Sequence, residues 1–436
     1  MRYSHIRKSS PHKRFGKTDR IYNYIFWTVG IVIVFKTVFL GIRICQSPYW
    51  GDFGDYLYNY SGGFIRRGLT GEILIFLKER FSMSPLMVCY VTSMMGYAIV
   101  ACYVLSKFKS CGLGGAILIT GFTLGAVFIF GFAPMRRDYM ELALFIAIIW
   151  SYRRLKTGQW LVLSNVIAIF GILLHEATFF FMVPICILLT VTRLHGIVKA
   201  IGAWLPSITA FALCCIYKGD AEMYVRIIET AQTLAPDAFA GGVVPGALPY
   251  IGKSSEEVFA FHIGMNFTDR IDGLPLPVGI VTVFYFLYVP FITIAALRVF
   301  SRRPPGMQRL GALMSLIGFQ FICLLPMFTV LSCDICRVCL YWVMSSLIVW
   351  LTFREEDIEE LFGGRYNRLC RKAVVRMLSL RTARSKILLT FCVLFIGVTF
   401  YRRQPRDIVL SSPAGTAVWT ANQVIEKVKP DFHLEH

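Results

Sequence analysis

The sequence predicts an all-α fold: a polytopic helical membrane protein of about eleven transmembrane helices, with its N-terminus inside. Three observations predict it. Apolar residues make up 56% of the 436 positions, where soluble domains hold about 45–50%. They gather in long runs, such as residues 21–35 and 387–400, which read as bilayer spans. Basic residues are biased to one side of those runs, as topology requires.

Spans are expected at 22–45, 84–106, 111–133, 138–152, 160–174, 177–191, 200–217, 277–299, 310–331, 338–353 and 386–401. Runs of about fifteen residues fall short of the roughly 20 that cross a bilayer. They rely on flanking residues or a locally thinned membrane. With the N-terminus inside, 27 Lys and Arg fall on inside segments and 16 on outside ones. A cleavable signal peptide is not expected, because the basic N-terminus leads into a full-length run with no small-residue cleavage site after it.

The segments follow. Residues 1–21 are a basic cytoplasmic N-terminus, and 46–83 form an outer loop. Residues 218–276 are a large outer loop, and 277–401 hold the C-terminal spans with a cytoplasmic loop at 354–385. An outer tail occupies 402–436. In the first outer loop "EILIFLKERF" is too short to span and reads as an interfacial helix. In the second, "AEMYVRIIETAQTL" reads as a helix, followed by a Gly/Pro-rich irregular stretch.

The net charge of +19 invites a nucleic-acid reading. That reading is set aside, because no soluble domain carries the charge and inside loops collect it for topology. The inside clusters read as lipid-headgroup contacts. The 13 cysteines are scattered through apolar runs as small hydrophobes. Cys333, Cys336 and Cys339 lack a second cluster or a neighbouring His, so no metal site is assigned. No cofactor is assigned either, and a divalent metal stays compatible.

The outer ends of the spans hold the chemistry. Charges there are costly unless they pair or face an aqueous cavity. In "WGDFGDYLYNYSGGFIRRGLTGE", Asp52 and Asp55 suit general-base work, against the plainer reading of a Gly/Asp turn. Asp52, nearer the first span, is the favoured base. Arg66 and Arg67 follow two glycines and suit bidentate phosphate contact. Tyr56, Tyr58 and Tyr60 suit sugar stacking or headgroup contact. Arg136, Arg137 and Asp138 repeat the pattern at the next outer mouth, where Asp138 can equally satisfy an arginine. Glu141 lies one turn into span four on the same side. His175 and Glu176 sit between two apolar runs, a placement that points to function. Asp334 and Arg337 have the spacing of a helix-end ion pair. Asn266 begins an N-x-T sequon.

This order of features resembles the GT-C superfamily of membrane glycosyltransferases. The resemblance rests on "GDFGDY" with "GEILIFLKERF", then "PMRRDYMELALF", then "LLHEATFFFMVP", and covers roughly residues 20–217. The stretch "SGGFIRRGLTGE" also looks like stretches in membrane proteins of bacterial surface-polysaccharide clusters. The resemblance implies a catalytic module at 22–217 in a bacterial inner membrane, facing the periplasm. It implies a polyprenyl-phosphate-linked sugar donor and a lipid-linked or glycan acceptor. By matching position Asp52 or Asp55 is then the base, and Arg66, Arg67 and Arg137 bind carrier phosphate. The family's first loop carries adjacent acids; here Phe53 and Gly54 split them. Alternatives are a polysaccharide polymerase or ligase, for which outer arginines dominate, a transporter or flippase, and an O-acyltransferase built on His175.

Overall fold

The computed structural model describes residues 53–108, 137–271, 275–301 and 304–392, with Tyr24, Trp27 and Ile31. The expected span at 111–133, most of those at 22–45 and 386–401, and the two terminal segments lie outside these residues. Among the described residues every element is helical and no strand forms.

The helices are α1 (Leu69–Phe81), α2 (Pro85–Phe108), α3 (Asp138–Tyr152), α4 (Thr157–Leu174), α5 (Ala177–Leu194), α6 (Ile197–Ala203), α7 (Leu205–Ile216), α8 (Ala221–Leu234), α9 (Ser255–Ile263), α10 (Val278–Phe300), α11 (Met307–Pro326) and α12 (Ile335–Thr352). After them come α13 (Glu355–Leu361), α14 (Gly364–Ser379), α15 (Arg381–Arg384) and α16 (Lys386–Phe391). By length and apolar composition α2, α4, α5, α10 and the stretch Met307–Leu331 can each cross a membrane. The pair α6 and α7, bent by 60° at Trp204, makes a sixth candidate. The protein is therefore a helical membrane protein. Helices also form at 69–81 and 221–234, where helices were expected. The segment 354–385, expected as a loop, is instead largely helical.

Two separate cores hold the chain. The larger joins α2 to α5, α7, α10, α11 and α12, with Phe145, Phe181, Tyr341 and Trp342 inside it. Here Phe181 stacks on Tyr341 with centroids 4.8 Å apart. Arginines close two helix ends, where carbonyls lack partners. Arg309 donates to the carbonyls of Trp350 and Phe353. Arg193 donates to those of Tyr152 and Leu155. The smaller core lies outside the bundle. It packs Phe53, Tyr56, Leu57, Tyr58 and Ile65 of the first loop against Ile227, Ala231, Leu248 and Ile251 of the second.

Close backbone approach sets the angle between α2 and α3. A Cβ on Gly96 would lie 2.7 Å from the Met140 nitrogen. Gly96→Val must therefore separate the two helices, at a cost of about 1–3 kcal/mol. Gly158 has nothing within 4 Å of its Cβ position, so Gly158→Ala should be neutral or stabilise by up to about 1 kcal/mol. Thermal unfolding of the two variants in detergent, followed by tryptophan fluorescence, checks the contrast. Equal melting points would remove the close-contact account.

Candidate active site

The first loop is tied down before it reaches any function. Asn59 is fully buried. Its amide donates to the carbonyls of Leu57 and Ile227, and its oxygen accepts from Ser61. The Glu72 carboxylate accepts from the Tyr60 amide at 2.6 Å. Gly71 lets the chain close: a Cβ there would sit 2.1 Å from the Tyr58 carbonyl oxygen. The second loop locks on through Tyr58, whose hydroxyl donates to the Ala247 carbonyl at 2.7 Å. The Ala247 amide returns a hydrogen bond to Asp55 Oδ1 at 3.1 Å.

Arg67 stands where this loop meets the bundle. Its backbone is left-handed, with φ 64, a conformation that L side chains adopt at a cost. Its guanidinium makes a fork to Glu176: Nε to Oε2 at 2.7 Å and Nη2 to Oε1 at 2.5 Å. Arg66 Nη1 is 3.6 Å from the same Oε1, while its Nε is buried without a partner. Burial pushes the Glu176 carboxyl up, but Arg67 and Arg66 outweigh it and hold it well below the usual carboxylate range. Burial, and then Arg67, push His175 well below the ordinary imidazole value, so it is neutral. Its Nδ1 accepts from the Ala177 amide at 3.3 Å and lies 3.7 Å from Glu141 Oε1. Glu141 is fully buried and accepts from the Thr178 hydroxyl.

A second crossing joins α3 to α12. Arg337 Nε donates to Asp138 Oδ1 at 2.9 Å, and the Tyr341 hydroxyl donates to the same oxygen. Asp334 instead caps α12, its Oδ1 accepting from the Arg337 amide at 3.5 Å. The Arg337 guanidinium thus has a partner 199 residues away, while the Asp334 charge still acts on it.

These groups border one cavity of about 190 Å³. Asp55, Tyr58, Arg66, Arg67, His175, Asp334, Arg337 and Tyr341 line its polar side. Val258 and Phe259 of α9 line it opposite Met327, Val330 and Leu331. Residues of the first loop, the α4–α5 junction, the second loop and the α11–α12 turn therefore share one space. Asp138, Glu141 and Glu176 do not line it but hold groups that do. Asp52 and Arg136 lie outside the described residues. Arg137 is buried away from it, donating to the Leu174 carbonyl at 2.7 Å with its guanidinium over the Tyr56 ring.

The structure corrects two expectations and adds one residue. Tyr56 and Tyr58 are core residues, not a free sugar platform; the Tyr56 hydroxyl meets Ser93 Oγ at 2.6 Å. Burial lifts the Tyr58 phenol to about 12. Asn266 is fully buried, and its amide donates to the carbonyls of Phe328, Thr329 and Ser332, so the folded chain does not present the sequon for glycosylation. His262 also lines the cavity, with Nδ1 2.8 Å from the Val330 carbonyl oxygen. A lone His in an outer loop gave no signal in sequence; only the docking of α9 onto the α11–α12 turn reveals it. Among the described residues no group of three or more His, Cys, Asp or Glu is arranged to hold a metal ion.

Removing one partner of the Arg67–Glu176 fork strands a buried charge. Arg67→Met and Glu176→Gln should each destabilise by about 3–5 kcal/mol, and Arg67→Met with Glu176→Leu by clearly less than the sum. A double-mutant cycle on thermal stability measures this; additive losses would deny the coupling. The two depressed groups also fix a pH response. The unfolded chain binds their protons first as pH falls, so stability is full above their ordinary values and lost below them. The His175 part begins to fail below 6.5 and the Glu176 part below 4.5. His175→Gln should therefore flatten the fall in melting temperature between about pH 6.5 and pH 5.5. An unchanged slope would assign the acid sensitivity elsewhere. Compared with known proteins, the chain matches no family model, no curated protein and no solved structure.

Proposed function

We propose that the protein is an inverting membrane glycosyltransferase that moves a sugar from a polyprenyl-phosphate carrier to a lipid-linked or surface-glycan acceptor. The observation that carries the reading is the cavity itself, in which the Asp55 carboxylate shares a space with Arg66 and Arg337. A base for an acceptor hydroxyl and guanidiniums for a phosphate are the two functions such a transfer needs. The acceptor oxygen attacks the anomeric carbon as its proton passes to Asp55. The bond from that carbon to the phosphate oxygen breaks, and its electron pair leaves with the phosphate. Arg66 and Arg337 stabilise the charge that grows there. Arg67 and Arg137, expected as phosphate ligands, act in this reading as fixed supports.

The eleven-span GT-C-like topology belongs to the same proposal. Every expected span that falls within the described residues is helical, and the basic bias supports an inside N-terminus. The cavity then faces the periplasm from a bacterial inner membrane. A polymerase or ligase acting on lipid-linked oligosaccharides is the second reading, favoured by three arginines lining one cavity.

Two substitutions separate the readings. Asp55→Asn is nearly isosteric and should lower sugar transfer by about 10²–10⁴-fold, with the melting temperature changed little. Arg66→Gln should weaken carrier binding by roughly ten- to a hundredfold, the worth of a charged hydrogen bond of about 1.5–3 kcal/mol. The assay is transfer from a radiolabelled lipid-linked sugar by purified protein. Near-normal transfer by Asp55→Asn, with Arg66→Gln inactive, would move the polymerase or ligase reading ahead.

A further inference from the structure

Helix α14 packs one face on α11 and turns the other away. Asn367, Cys370 and Val374 are buried. Asn367 Oδ1 accepts from Ser315 Oγ at 2.9 Å, and the Tyr366 hydroxyl donates to the Ser315 carbonyl at 3.0 Å. The contact is tight, since a Cβ on Gly311 would lie 2.3 Å from Arg371 Cγ. Two of the five acids of α13 are engaged: Glu359 faces Arg371 at 3.9 Å, and Asp357 pairs with Arg153 at 2.5 Å.

The outward face is different. Arg365, Arg368, Lys372 and Arg376 are all exposed, and steps of three and four residues put them in one row along the helix. Exposed Arg381, Arg384 and Lys386 continue it. None of these side chains has an acidic partner among the described residues. A row of cations alone is usually a solvated face. Here large apolar side chains flank it: Leu369 is 63% exposed, Val375 56% and Ile387 82%. Water does not favour that mixture, whereas a bilayer edge does, with apolar groups among acyl chains and cations at the headgroups. The support is a helix apolar enough to span, contacted at Gly311, Ser315 and Gly318. The cavity lies at the other end of that stretch, beyond Met327.

We propose that α14 and its continuation through Lys386 are a docking surface for anionic phospholipid headgroups, in the leaflet at the end of the bundle opposite the cavity. Each cation near an anionic surface adds to the attraction, which salt screens. The surface is separate from the cavity, and its test needs no knowledge of the reaction.

The experiment uses the full chain, purified in neutral detergent and offered phosphatidylglycerol or phosphatidylcholine in mixed micelles. Retained lipid is read by mass spectrometry and stability by thermal unfolding. The wild type should retain phosphatidylglycerol in preference, less so at high salt. The variant Arg365→Gln/Arg368→Gln/Lys372→Gln/Arg376→Gln should lose at least about tenfold of that preference. Its melting point in phosphatidylcholine should stay near wild type, because the four side chains point outward. If it melts early, Arg368→Gln and Lys372→Gln singly should each lower the preference by roughly fivefold. A control, Arg226→Gln/Lys253→Gln, removes two cations of the second loop and should change nothing. Equal retention of the two lipids by the wild type, or an unchanged preference in the variants, overturns the proposal. Stabilisation by inorganic phosphate as strong as that by phosphatidylglycerol also overturns it, since the occupant is then a soluble anion.

Discussion

One carboxylate holds the first loop to the membrane bundle. Glu176 sits at the junction of two apolar helices, and its oxygens meet the Arg67 guanidinium as a fork. Each charge would cost several kcal/mol to bury alone. Together they fix where the loop's own small core rests against the larger one. The left-handed backbone at Arg67 fits this account: local strain persists where surrounding contacts over-determine it. Because the fork uses both Glu176 oxygens, Arg66 is left with only the longer contact to the same carboxylate. Arg67 is thus committed to the fold and Arg66 is left for the cavity, although the two are adjacent in sequence and identical in chemistry.

The second crossing repeats this logic from the other side. Asp138 accepts from both Arg337 and Tyr341, so α3 and α12 are joined just below the cavity floor. Asp334 is spent on the helix cap, which aims the start of α12 at the same space. Buried polar groups in a bundle of apolar helices are costly unless they are paired. The two crossings help four distant segments share one cavity.

Much of the fold was legible because its signals are local. Apolar runs mark helices, and a short mixed run after Gly71 marks another, at 69–81. The run "AEMYVRIIETAQTL" marks a helix, and the structure adds its cap, Asp220, which accepts from the Met223 amide. The charged residues at the ends of the apolar runs were readable as a group, since each is expensive near a bilayer. Their pairing was not. Arg337 has Asp334 three residues away, but its hydrogen bond to Asp138, 199 residues off, comes from helix packing that spacing does not show. Tyr56 and Tyr58 read as surface rings because nothing in "DYLYNY" announces a second core. Helix α14 was missed because its polar, cation-rich sequence hid the narrow apolar face of Cys370 and Val374 beneath the charge.

The charge balance of the cavity bears on what it can hold. Arg67 is offset by Glu176, and Arg337 lies between Asp138 and the cap residue Asp334. Arg66 is the least neutralised of the three guanidiniums, and Asp55, on the same loop, lines the same cavity. In the glycosyltransferase reading the incoming phosphodiester brings one negative charge, which Arg66 can balance. A diphosphate would bring more than the remaining cations offset in a partly enclosed space, where unbalanced charge is costly. The transfer itself leaves the total unchanged. Asp55 loses its charge by taking the acceptor proton as the released phosphate gains one. The negative charge moves from the carboxylate toward the guanidiniums, so those cations favour the product side of the bond-breaking step more than the substrate. That difference, and not the strength of binding alone, is what accelerates a reaction.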